Sequence, residues 1–113
     1  MSESLILAFE RPSKGNPVPY IYVHWSNGYS ELQEWMRIAK KFYRDPYGDP
    51  TYAFARLVGL ICALKGITND SGVGVGATDD PDIGDCYDLG LWVIGKGWTL
   101  THYGNMEHWF MGR

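Results

Sequence analysis

A chain of 113 residues with 45% apolar and 20% charged residues has the size and composition of one globular domain, residues 1–113, built on a single core. Its net charge of −3, from 13 acidic and 10 basic residues, argues against direct nucleic-acid binding, which needs a basic face to displace counterions, and falls short of the dense negative surface of a DNA mimic. No apolar run approaches the ~20 residues that span a bilayer, and Met1-Ser2-Glu3-Ser4 lacks a basic leader, so the expectation is a cytoplasmic protein without membrane contact.

Ser4 to Glu10 (SLILAFE) predicts a first strand. Residues 11–19 carry Pro12, Gly15, Asn16, Pro17 and Pro19, the composition of a loop. Tyr20 to Trp25 alternates as a second strand, with Tyr20, Tyr22 and His24 on one face and Ile21, Val23 and Trp25 on the other, the aliphatic face inward. The two strands are expected to form a hairpin with a long connection. Ser30-Glu31-Leu32-Gln33 has the spacing of a capping box, and Leu32, Trp35, Met36, Ala39, Phe42 and Tyr43 then share one helical face. Glu31 and Glu34 early and Lys40, Lys41 and Arg44 late suit the helix macrodipole.

Asp45-Pro46-Tyr47-Gly48 reads as a type I turn. Asp49 is placed to cap a second helix with Pro50 at its first position; this helix runs to Lys65, is apolar nearly all round, and is expected to be buried on most sides. Gly66 supplies its stop. Gly72 to Ala77 has period two and predicts a third strand, Thr78 to Asp85 an acidic loop, Tyr87 to Ile94 a fourth strand, Gly95-Lys96-Gly97 a turn, and Trp98 to Tyr103 a fifth strand. The order ββααβββ implies an α+β fold: an antiparallel sheet of about five strands with two helices packed on one face. The aromatic tail, 105–113, is expected to dock on the domain.

Aromatic residues reach 15%, most of them destined for the core, since rings bury large areas; the rest suit interfaces. The Gly72–Ala77 run is not a GxGxxG fingerprint and follows a helix where the fingerprint would open one, so its glycines are read as a side-chain-free face on which a helix packs. In the acidic loop Asp80 and Asp82 begin like a calcium-binding loop, but Gly84 falls one place early and Leu91 stands where the bidentate Glu belongs; the loop is read as a solvated turn and no cofactor is assigned. Among His24, His102 and His108 no pair has the i, i+4 spacing of a helical metal site. His24 and His102 could meet across a sheet and, with an Asp, form an acid–base pair or a metal site. Cys62, in an apolar helical run, is read as a buried thiol, and neither it nor Cys86 carries a nucleophile signature, so no catalytic or metal residue is assigned. Arg37, Lys40, Lys41 and Arg44 read as a solvated helix face in preference to an anion-docking strip.

The segment from Tyr20 to Glu31 gathers a histidine, aromatic rings and an amide where a strand turns into a helix. Tyr22, His24, Trp25, Gly28 and Tyr29, followed by Tyr52 to Leu60, Gly72 to Val75, and Asp85 and Tyr87, resemble a family of small uncharacterised proteins common in bacteriophage and prophage genomes, marked by a Tyr-x-His-Trp-Asp-Gly-Tyr-Pro type segment. This chain departs from that mark with Ser26-Asn27 where one Asp is usual and Ser30 where Pro is usual. The resemblance implies a phage-type origin. By analogy with the many small non-enzymatic proteins that phages direct at host machinery, it implies a binding protein that inhibits or redirects a host or defence-system protein, as an anti-CRISPR inhibitor does. Tyr20, Tyr22 and Tyr29 would then supply aromatic anchors, with the Asp79 to Asp85 loop (Asp79, Asp80, Asp82, Asp85) as an acidic rim. A rival reading is a small-molecule or nucleotide-binding protein, or a small hydrolase, with a pocket around His24, Asn27, Tyr29 and Tyr87. A third is a phage structural or assembly protein, or a homodimer joined through an exposed strand edge.

Overall fold

The structure, a computed structural model, describes residues 4–10, 18–24, 26, 28–66, 72–78 and 89–103. Its elements are β1 (Leu5–Phe9), β2 (Val18–Val23), α1 (Tyr29–Phe42), α2 (Pro50–Lys65), β3 (Val73–Thr78), β4 (Leu91–Gly95) and β5 (Thr99–Tyr103), with a 3-10 turn, Lys96–Trp98, between the last two strands. The α+β class and the element order agree with the sequence pattern. The tail, 105–113, lies outside the described residues. No helix among the described residues is long and apolar enough to cross a membrane.

The five strands form one sheet in the order β3-β2-β1-β4-β5. It is mixed, not antiparallel throughout: β1 pairs with β2 antiparallel but with β4 parallel, Ile6 opposite Leu91 and Ala8 opposite Val93. The physical reason is where the chain re-enters. From β3 at one edge it must pass β2 and β1 to reach β4, and the residues between, 79–90, have the length of about a dozen that a parallel crossover needs. β4 also begins later than the alternation suggests, at Leu91, because Gly90 takes a positive φ of 75° and breaks the extended run.

β1 is the centre of the molecule. Leu5 and Leu7 face the helices, where they join Ile21, Val23 and Ile94 of the sheet, Leu32, Trp35 and Ala39 of α1, and Ala53, Leu57 and Ile61 of α2. Ile6 and Ala8 face the other way and are equally buried with Val18, Leu91 and Val93. A strand buried on both faces needs an unbroken apolar run, which explains the lack of alternation in LILAF. Each of its fully buried Leu and Ile side chains contributes about 1.5–3 kcal/mol.

The helices form an antiparallel pair, tied at one end by Glu31 and Lys65 and at the other by Arg44 and Asp49. α1 is not capped by Ser30. Its N-cap is Gly28, at φ 82°, and Ser30 lies within the first turn. No side chain caps the first turn; just ahead of it the buried Ser26 hydroxyl accepts the Gly28 N–H at 3.0 Å and donates to the Glu31 carboxylate at 3.1 Å. Only a residue free to adopt the left-handed region could bend the chain here, so glycine sets the helix start. Asp49 does occupy the N-cap of α2, before Pro50, but its carboxylate bonds the Arg44 guanidinium at 2.8 Å and caps no N–H. Gly66, at φ 117°, stops α2 as the sequence indicates.

α2 is buried along one stripe only. Ala53, Leu57 and Ile61 are covered, Cys62 is half-buried, and Tyr52, Ala55, Gly59, Ala63 and Leu64 are exposed. The all-round apolar composition therefore does not report all-round burial; the small residues on the outer side explain part of the pattern.

The glycines of β3 are not a platform for a helix. Gly74 and Gly76 sit opposite Tyr22 and Tyr20 of β2 on the face away from the helices. A Cβ at residue 76 would lie 2.6 Å from the Tyr20 hydroxyl and 2.7 Å from its ring carbon. The missing side chains make room for a tyrosine ring from the neighbouring strand, a cross-strand pairing known to offset the weak packing of edge glycines.

Candidate functional site

The residues singled out by the strand–turn–helix segment divide between two faces. Tyr22 and His24 leave β2 on the side away from the helices, where the Tyr22 hydroxyl and His24 Nδ1 share a hydrogen bond of 2.8 Å and the rings lie within 25° of parallel. Tyr29 opens α1 on the opposite side of the sheet. Its ring stacks on Trp92 of β4 at 5.4 Å, and Trp92 stacks in turn on His102 of β5 at 4.3 Å. Trp92 is held in this sandwich by donating its indole N–H to the Leu89 carbonyl. Asn27, Asp79, Asp80, Asp82, Asp85 and Tyr87 lie outside the described residues.

His24 and His102 do not meet. β1 and β4 stand between their strands, a separation of about 14 Å at ordinary strand spacing, and the rings occupy opposite faces. Among the described residues no group of three or more His, Cys, Asp and Glu side chains is arranged to hold a metal ion.

A groove of about 370 Å³ runs beside the Tyr29 stack, between Gln33, Arg37 and Lys40 of α1 and Trp98 and Leu100 of the β4–β5 hairpin. A second, more apolar one of about 470 Å³ lies between Phe9, Val18, Pro19 and the start of α2, at Pro50 and Phe54. His24 lines neither. Arg37 is held by a bidentate pair with Glu34, its Nε at 2.9 Å and Nη2 at 2.6 Å. This bond holds the Glu34 carboxyl below its ordinary range and raises Arg37.

Among the described residues the most exposed aromatic side chains lie elsewhere, around the connection from α1 to α2. Phe42, Tyr47 and Tyr52 are 69%, 72% and 59% exposed. Each carries a cation over its ring: Lys41 at 5.5 Å from Phe42, Lys96 at 5.6 Å from Tyr47, and Arg44 at 5.4 Å from Tyr52. Phe42, Arg44, Tyr52 and Arg56 also share a shallow depression of about 300 Å³. Arg44 is paired with Asp49, whereas Lys41, Arg56 and Lys96 form no ion pair among the described residues.

This rim is rigidly framed. The Asp45 carboxylate accepts the Tyr47 N–H at 2.9 Å with one oxygen and the Gly97 N–H at 2.8 Å with the other, tying the interhelix turn to the β4–β5 hairpin. One residue further on, the buried Trp98 donates its indole N–H to the Arg44 carbonyl at 3.2 Å and packs edge-on against Phe9 and Tyr43. To reach that position Trp98 adopts φ 60°, a left-handed conformation that its bulk disfavours. Asp45 and Trp98 therefore hold Tyr47 and Lys96 in place from beneath.

The sequence pattern places Phe42 on the inward face of α1; it points outward because the helix ends there and the next residue, the half-buried Tyr43, turns in instead. For Tyr47 and Tyr52 the helical and strand patterns give no surface signal. The available signal was position: a ring between Pro46 and Gly48, in a turn, has no core to enter. Compared with protein-family models, with curated proteins and with solved structures, the chain matches none.

Proposed function

We propose that the protein is a non-enzymatic, phage-type binding module that inhibits or redirects a protein of the bacterial host, acts in the host cytoplasm, and uses the rim around Phe42, Tyr47 and Tyr52 as its contact surface. The observation that carries this reading is the set of three exposed rings, each with a cation against it, around a framed turn. Exposed rings of this size are unfavourable in water and rank among the residue types that dominate interface energetics when buried by a partner. Lys41, Arg56 and Lys96, which form no ion pair among the described residues, suit an acidic patch on that partner. A defence-system protein, a CRISPR effector among them, is the target class favoured by the resemblance of the Tyr22–Tyr29 segment; the Tyr22 and His24 pair and the 79–85 acidic segment remain a second contact candidate on the same analogy.

The test is affinity capture from host lysates with the wild-type chain and a Phe42→Ser, Tyr47→Ser, Tyr52→Ser variant, whose melting temperature should change little because all three rings are exposed. Capture of one stoichiometric protein that weakens with salt and is lost in the variant is the expected result. Capture that survives the variant but is lost with His24→Ala moves the contact surface to the tyrosine face of the sheet. Capture of nothing, in lysates with and without defence systems, rejects the reading.

A small-ligand reading draws on one separate observation, the Tyr29–Trp92–His102 stack beside the α1 groove. A flat anion stacking on Tyr29 within reach of Lys40 would fit it, and a ligand-dependent rise in melting temperature that Tyr29→Ala abolishes would support it.

A further inference from the structure

The edge of β3 turned away from β2 points to an interaction independent of the rim. β3 pairs with β2 on one side, and no described strand lies on the other. His24 N donates to the Gly72 carbonyl at 2.8 Å, so Gly72 directs its backbone groups toward β2. In an antiparallel ladder both groups of a residue point the same way and the direction alternates along the strand. Gly74 and Gly76 therefore bond toward β2, and Val73, Val75 and Ala77 turn their N–H and C=O groups outward.

Edge strands of monomeric proteins are usually blunted by charge, proline, a bulge or short length. Val73–Thr78 has none of these: six residues without charge or proline keep an unbroken register with β2. Val75 is 58% exposed and Ala77 is exposed, so α2 stops short of this edge. On the other face the glycines add no side chain, and the Tyr20 ring reaches across Gly76.

We propose that two copies of this chain associate through β3, antiparallel about Val75. A two-fold axis there sets Val75 against the partner's Val75 and Val73 against the partner's Ala77, so that the outward groups of all three residues bond reciprocally. Gly74 then faces the partner's Gly76, neither residue adds a side chain of its own to the seam, and the two five-stranded sheets become one. A second copy fits this edge better than a foreign strand. Strand addition by a peptide draws its specificity from pockets for alternate side chains; here the alternate positions are glycine under tyrosine rings on one face and small aliphatic groups on the other.

Sedimentation equilibrium over a wide concentration range, with amide exchange followed by NMR, tests this. The wild type is expected to approach twice the 12.8 kDa chain mass. The amides of Val73, Val75 and Ala77 should gain protection as the dimer forms, while those of Gly74 and Gly76 are protected throughout. Val75→Lys, which places a charge at the seam, and Val75→Pro, which removes the central outward N–H and leaves the bonds to β2 intact, should both be monomeric with an unchanged circular dichroism spectrum. Thr101→Lys, on the opposite edge strand β5, should remain dimeric. A wild type that stays monomeric at the highest concentration overturns the proposal. So does a dimer in which the Val75 amide exchanges freely, or one that Thr101→Lys dissociates while Val75→Lys does not.

Discussion

Replacing Trp98 tests the link between backbone strain and the frame beneath the rim. Its indole is almost fully buried, meets Phe9 at 5.8 Å and Tyr43 at 6.3 Å, and bonds the Arg44 carbonyl. Truncation to Ala removes all of this and leaves a cavity, a loss of about 3–5 kcal/mol. In a domain of this size that lowers the melting temperature by roughly 10–25 °C. The backbone supplies a second, opposite effect. At φ 60° any residue with a Cβ is strained by roughly 1–2 kcal/mol, and Trp98→Gly releases that strain while losing the same packing. The greater freedom of glycine in the unfolded chain takes back about 0.4–1 kcal/mol. The Gly variant should therefore be more stable than the Ala variant by about 0.5–1 kcal/mol, the reverse of the order found at ordinary strand and helix positions. Urea unfolding followed by circular dichroism, with both variants measured under identical conditions, reads this difference directly. An Ala variant more stable than the Gly variant would refute a left-handed Trp98 and with it the geometry of the hairpin turn.

Three further outcomes follow from the packing. Gly76→Ala should destabilise the protein by about 1–2 kcal/mol, as overpacking does, because its Cβ would meet the Tyr20 ring below 3 Å; in a Tyr20→Ala background the same substitution should be neutral or favourable, and additive effects in the double-mutant cycle would disprove the contact. Lys65→Met leaves the Glu31 carboxylate, mostly buried and bonded to Ser26, without its 3.2 Å cation, and should lower stability by on the order of 3 kcal/mol, with much of the loss recovered in a Glu31→Gln, Lys65→Met double variant. Arg37 lowers the Glu34 pKa, so the pair stabilises the fold above the ordinary Glu range and loses its effect as pH falls through the lowered value; NMR titration should show the Glu34 carboxyl moving up in Arg37→Ala, and an unchanged midpoint would dismiss the pair.

The candidate surface was only partly legible in the sequence. Tyr22, His24 and Tyr29 stood out because they cluster at one strand-to-helix boundary, yet the boundary separates them: β2 carries the first two to the side of the sheet away from the helices, and the turn at Gly28 delivers Tyr29 to the helix side, onto Trp92. Sequence neighbours at such a junction need not share a surface, because a strand alternates its faces and the turn then chooses one. The rim of Phe42, Tyr47 and Tyr52 is assembled from three elements, and one of its three cations, Lys96, comes from a fourth place about half a chain away. No local pattern carries that information.

What the sequence by itself determined is the local layer. The apolar run of β1, the alternation of β2, the 3.6-residue spacing of α1, the Pro46–Gly48 turn, the Pro50 start and Gly66 stop of α2 and the alternation of β3 all follow from steric and hydrophobic preferences that act over a few residues. The tertiary structure alone decided the rest. It placed β4 parallel beside β1, because a crossover of about a dozen residues permits either direction and only the fully buried place beside β1 takes an apolar Leu91–Ile94. It started α1 at Gly28, which could adopt the positive φ of the turn, and left Ser26 to bond the Gly28 N–H in place of a cap from Ser30. It matched glycines to tyrosine rings across two strands, and it forced Trp98 into a strained backbone to fill the core. Each of these depends on contacts between residues far apart in the chain, whose energies are settled only when the whole core closes.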